Sequence, residues 1–89
     1  MRESKIEKAH KRAIENEGGR SYKWVSPGCT GVPDLIDLKP IPEKHRSIVA
    51  KYIQFNECKQ KNKKPRIRQK RVINEIQSLG FKVGIIDEI

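Results

Sequence analysis

Cysteine is nearly missing from this sequence. Only Cys29 and Cys58 occur among 89 residues, too few for a disulfide framework or a structural zinc site, so both are read as reduced thiols of a cytoplasmic protein. No apolar signal region stands behind Met1-Arg2-Glu3-Ser4-Lys5. No stretch approaches the ~20 apolar residues that cross a bilayer, and there is no internal repeat or low-complexity tract. Acidic residues are also scarce. Eleven Asp and Glu face twenty Lys and Arg, a net charge of +9. The excess concentrates in residues 59–71, which hold eight basic side chains and no acidic one. A polyanion is the natural partner of such a segment, and nucleic acid is the first candidate. A solvated basic face is the plain alternative, and charge alone weighs the two evenly. The length sets one small domain, residues 1–89, with a modest core that a partner subunit would help to cover.

The order of elements follows from periodicity and punctuation. Ile6, Ala9, Ala13 and Ile14 recur at helical spacing over residues 3 to about 16, and Gly18-Gly19 ends that helix. Residues 21–25 form a strand rich in Tyr22, Trp24 and Val25. A loop over 26–31 leads to a second strand, 32–38, with Pro33 at its start, where the missing N–H is tolerated. Residues 39–46, with Pro40 and Pro42, read as a polar connection, and 47–59 as the longest strand, paired as a hairpin with the strand before it. A basic loop over 60–65 precedes a helix at 66–79 with Val72, Ile73, Ile76 and Leu79 on one face and Gly80 as its cap. Residues 81–87 form the last strand. The expected architecture is α/β, in the order α-β-β-β-α-β around one small mixed sheet.

Strand alternation then singles out a constellation. Ile53, Phe55, Glu57 and Lys59 share one face of the third strand, and Asp34, Ile36 and Leu38 share one face of the second. The ionisable residues therefore continue apolar rows. A charge aimed at a covered face is costly unless it is paired or binds a metal, and carboxylates in such a place suit Mg²⁺ or Mn²⁺. Gln69 precedes Val72, Ile73 and Ile76 by three, four and seven residues, which puts it on the inward face of the second helix. Glu7 lies beside the apolar stripe of the first. Each residue has a plainer reading: a turn residue for Asp34, an exposed strand-end ion pair for Glu57 and Lys59, a helix-start hydrogen bond for Gln69, a solvated glutamate for Glu7. Only their combination points to a site.

These residues resemble the PD-(D/E)XK nuclease superfamily, most closely the VRR-NUC branch in the small stand-alone form found in phages. The matching pieces are Glu3-Ser4-Lys5-Ile6-Glu7, Gly18-Gly19 with Lys23-Trp24, Ser26-Pro27-Gly28, Gly31-Val32-Pro33-Asp34, Glu57-Cys58-Lys59, Gln69, and Leu79-Gly80-Phe81-Lys82-Val83. They run in order along nearly the whole chain, and the ordered set is far more specific than any one piece. Two departures bear on substrate preference. Leu35 stands where many members carry arginine, and residues 39–46 look longer than the tight hairpin common among them.

The resemblance implies a restriction-endonuclease-like core and metal-dependent hydrolysis of phosphodiesters to leave a 5′ phosphate. It maps metal ligation onto Asp34, Glu57 and the backbone carbonyl of Cys58, the catalytic lysine onto Lys59, and supporting roles onto Glu7, acting directly or through water, and Gln69. It further implies homodimers acting on branched DNA such as four-way (Holliday) junctions, in the cytoplasm of a bacterial host. Lys23, Lys61, Lys63, Lys64, Arg66, Arg68, Lys70 and Arg71 are candidate contacts to the DNA backbone. The competing expectations are a flap or nicking nuclease, a non-catalytic DNA-binding module of the same fold, and a purely structural phage protein.

Overall fold

A computed structural model describes residues 2–60 and 66–87. The chain is an α/β protein with the order α1 (Glu3–Asn16), β1 (Arg20–Lys23), β2 (Leu35–Leu38), α2 (Glu43–Ala50), β3 (Phe55–Lys59), α3 (Ile67–Ser78) and β4 (Val83–Asp87). It divides into two compact units, Met1–Lys39 and Pro40–Ile89.

In the first unit α1 packs on an antiparallel hairpin in which Arg20 faces Leu38 and Lys23 faces Leu35. The Trp24 N–H donates to the Asp34 carbonyl at 2.8 Å and carries the ladder one step further. α1 ends in a Schellman turn: Gly18, at φ +87°, donates to the Glu15 carbonyl, and Gly19 donates to that of Ile14. Gly19 is also pressed between the helix and β2, where a Cβ would stand 2.5 Å from the Leu38 carbonyl oxygen. No side chain fits there. Ile14 and Leu38 are buried, but Ile6, Ala9 and Ala13 of the expected stripe are exposed. A 14-residue helix is ~21 Å long and a four-residue strand ~13 Å, so this hairpin covers only part of the helix.

The second unit holds a β-α-β arrangement. β3 and β4 run parallel, Phe55 beside Val83 through Lys59 beside Asp87, joined by α3. Ile76 of α3 and Leu79, which caps it, are buried, and Phe55 meets Phe81 edge to face, with ring centroids 5.9 Å apart. Gly80, at φ +102°, closes α3 as expected, donating to the Gln77 carbonyl while Phe81 donates to that of Ile76.

Two expectations need correction. Residues 47–59 are not one strand. Residues 43–50 form α2, entered through Pro42 in extended backbone with Glu43 in the first turn, and only Phe55–Lys59 is extended. Proline before an acidic first turn is a helix-start signal, but the β-branched Ile48, Val49 and Ile53 mask it. The hairpin, likewise, joins β1 to β2 and not β2 to β3, so the described strands form two two-stranded sheets in place of one mixed sheet. A crossover helix between β3 and β4 lets them pair in parallel, and that leaves β2 to pair with β1.

Candidate functional site

β3 puts Phe55, Glu57 and Lys59 on one half-buried face and Asn56 and Cys58 on the opposite, exposed one. The Lys59 Nζ lies 3.1 Å from Glu57 Oε1, with the two side chains 16% and 31% exposed. Gln69 comes from the first turn of α3. Its Oε1 accepts the Arg66 N–H at 2.9 Å, and its Nε2 donates to the same Glu57 Oε1 at 2.8 Å. The backbone bond fixes which end of the amide faces Glu57. One carboxylate oxygen thus takes two donors, and among the described residues Oε2 takes none. An apolar cleft of ≈ 380 Å³, lined by Phe55, Val72, Ile73, Ile76 and Val83, adjoins Glu57, Gln69 and Arg68.

In the first unit Asp34 is exposed at the head of β2, its backbone held by the Trp24 N–H. The expected row continues inward through half-buried Ile36 to buried Leu38. Glu7 and Lys23, expected to serve separately, bind each other: Lys23 Nζ donates to Glu7 Oε1 at 2.8 Å. That hydrogen bond is the largest influence; against an opposing desolvation, and helped by the fields of Glu7, Asp34 and Glu3, it holds the Lys23 ammonium above the ordinary lysine pKa.

Among the other expected residues, Cys58 pairs with Ile86 in the ladder and its thiol is free. Arg66, Arg68, Lys70 and Arg71 are exposed around the start of α3. Lys61, Lys63 and Lys64 lie outside the described residues. Among the described residues no three His, Cys, Asp or Glu side chains gather into a group able to hold a metal by themselves.

One cluster escaped the sequence reading. Asp37 accepts the Ser21 hydroxyl at 2.7 Å on one oxygen and His10 Nε2 at 2.5 Å on the other. Ser21 and Asp37 are cross-strand partners, and Ser21 is buried. The signal was available: His10 falls four residues after Ile6 and four before Ile14, on the helix face that meets the hairpin. The aspartate stands between serine and histidine, so the imidazole does not reach the hydroxyl and the trio is no nucleophile triad. It latches α1 to the hairpin. Burial alone would raise the Asp37 carboxyl, but the bonds from His10 and Ser21 outweigh it and hold the pKa below the usual range. The latch therefore stabilises fully above the ordinary aspartate pKa of ~3.9 and is lost as pH falls through the lower folded value. Asp37→Asn is expected to cost about 1–2 kcal/mol at neutral pH and to flatten the acid limb of the stability curve, read by thermal unfolding between pH 3 and 7.

Comparison with known proteins shows that the chain belongs to a nuclease family. Over 87 residues it is 36% identical to the protein named "Putative nuclease p44" from Acyrthosiphon pisum secondary endosymbiont phage 1, covering 98% of this chain and 84% of that one. No protein-family model matches the chain, and no solved structure matches it. Among the described residues no helix is long and apolar enough to cross a membrane.

Proposed function

We propose that the chain is a divalent-metal-dependent DNA endonuclease of the VRR-NUC type, a single domain acting on branched DNA as a homodimer inside a bacterial host. The observation that carries the reading is the shared Glu57 oxygen. Lys59 and Gln69 hold one carboxylate in a fixed orientation on a half-buried strand face, and among the described residues no donor meets its second oxygen, which would face a hard cation. Within the second unit the donors are oxygens, the Glu57 carboxylate and the Cys58 carbonyl. This suits Mg²⁺ or Mn²⁺, which keep several waters and need only one or two carboxylates beside substrate phosphate.

When bound, the cation supplies Lewis-acid polarisation of the phosphoryl oxygen and a water of lowered pKa. Lys59 then orients the attacking water and faces the charge that develops on the phosphate. Gln69 keeps Glu57 from rotating, and Arg68, which lines the adjoining cleft, would contact a phosphate near the reacting one. The dimer is supported by apolar surface on the second unit: Ile85 and Ile86 of β4 are 48% and 50% exposed, and Tyr52 after α2 is 82% exposed. A two-fold dimer would offer two sites to a junction of matching symmetry.

The test is cleavage of labelled four-way junction, flap, nicked duplex and single strand with Mg²⁺, Mn²⁺ or chelator, beside sedimentation at micromolar concentration. Metal-dependent paired cuts in the junction by a dimer are expected. Metal-dependent cutting of flaps alone would reassign the substrate, a monomer would remove the paired-cut scheme, and binding without cutting would make the protein a DNA-binding module.

A further inference from the structure

We propose that the tip of the β1–β2 hairpin, residues 24–33, is a wedge that enters the branch point of the DNA, where Trp24 stacks on an uncovered base. The proposal rests on the branched-DNA reading above and deepens it, since it names the surface that tells a branch from plain duplex.

Charge is the first observation. Asp, Glu, Lys and Arg make up 35% of the chain, yet residues 24–33 hold none, the longest such run in the sequence. Shape is the second. The Trp24 N–H donates to the Asp34 carbonyl at 2.8 Å and closes the neck, and the Cys29 N–H donates to the Ser26 carbonyl at 3.1 Å and turns the chain back. Gly31, at φ +87°, completes the reversal in a conformation that suits glycine. A Cβ added at Gly28 or Gly31 would meet nothing within 4 Å, whereas one at Gly19 would strike the Leu38 carbonyl. The tip therefore stands clear of neighbouring atoms. Apart from half-buried Ser26 and Val32, its residues are exposed. Two of them are large and apolar: Trp24 is 40% exposed and Val25 71%.

Lysine and arginine are the usual partners of phosphate, and this tip has neither. In a chain of net charge +9, its match is the one part of DNA without charge, the faces of the bases. In an intact duplex those faces are covered by their neighbours. At a branch the stacking is interrupted, and a face lies open. Apolar side chains that enter between base steps hold DNA in a distorted shape, and at a branch the step is already parted. An aromatic ring stacks on any base, so the contact selects shape and not sequence. From Ser26 to Gly31 every side chain is small, which leaves the tip slim enough to enter.

Trp24 is the sole tryptophan of the chain, so its emission reports the tip alone. The full chain is titrated, in chelator to prevent cleavage, with a labelled four-way junction or with unbranched duplex of the same arm sequences. Tryptophan emission and DNA anisotropy are read together. At equal occupancy the junction is expected to quench Trp24 strongly and the duplex weakly. Trp24→Ala should bind the junction about 5- to 100-fold more weakly and the duplex as wild type does, the scale of one lost base stack. Its salt slope should match that of wild type, because no phosphate contact is lost. Trp24→Phe should recover most of the affinity. The wild-type emission decides the case even where Trp24→Ala fails to fold. Equal quenching by junction and duplex overturns the wedge and leaves the nuclease reading standing, as does a folded Trp24→Ala with unchanged junction affinity. Emission that shifts with protein concentration alone puts a second copy on the tip and overturns the wedge as well. A chain that binds neither DNA, with Ca²⁺ or with chelator, overturns the DNA reading and the wedge with it.

Discussion

Lys59→Ala should cut a four-way junction at least about 100-fold more slowly than wild type under single-turnover conditions with Mg²⁺, the scale expected for removing one preorganised group that faces developing charge. The size of the effect follows from where Lys59 stands. Its side chain is only 16% exposed, and its ammonium lies against Glu57 Oε1. Truncation would remove the positive charge that the proposed mechanism sets against the reacting phosphate, and one of two donors from the carboxylate. Gln69→Ala takes away the other donor and leaves the charge, so it should slow cleavage by about 10- to 100-fold, as loss of a residue that orients a metal ligand does. Raising Mn²⁺ should recover part of the Gln69→Ala loss and none of the Lys59→Ala loss, because only the first is a defect of ligand geometry. Equal rates for Lys59→Ala and wild type would show that Lys59 takes no part in the chemistry.

Replacing Arg66, Arg68, Lys70 and Arg71 together by glutamine should lower the slope of log DNA affinity against log salt by about 3.6. Each phosphate contact contributes about 0.9 to the slope of log affinity against log salt, so four contacts weaken binding by about 10²-fold between 50 and 200 mM salt. The four do not act as one patch. At ~100° per residue, Arg66 and Lys70 fall on one side of α3 and Arg68 and Arg71 on another. Arg68 also borders the cleft beside Glu57, whereas Lys70 and Arg71 line an outer groove with Asn74. Arg68→Gln is therefore expected to lower the slope by about 1 and slow cleavage at saturating DNA. The Lys70→Gln, Arg71→Gln pair should lower it by about 2 and leave the saturated rate near wild type. Slopes from fluorescence anisotropy at four salt concentrations decide it, and an unchanged slope in the fourfold variant would move the DNA surface elsewhere.

The cluster of Glu57, Lys59 and Gln69 was legible because each residue's direction follows from a local rule. Alternation puts Glu57 and Lys59 on the face of Phe55, and spacing from Ile73 and Ile76 turns Gln69 inward. The glycine stops of α1 and α3 were legible for the same reason, since a positive φ is a property of one residue. Residues 43–50 misled because Ile48 and Val49 favour extended backbone in isolation. In the folded chain Val49 and Ala50 are half-buried, and the helical backbone from Pro42 onward prevails over that preference.

By itself, then, the sequence determined a basic α/β chain, its helix stops, and the inward direction of Glu57, Lys59 and Gln69. Composition and neighbours a few residues apart are enough for those. Only the tertiary structure decided that β1 pairs with β2 and β3 with β4, that Lys23 is held by Glu7, and that Asp37 ties His10 to Ser21. Each of these joins residues 12 or more positions apart. Which donor meets which carboxylate at that separation depends on how elements pack, and no local periodicity encodes it.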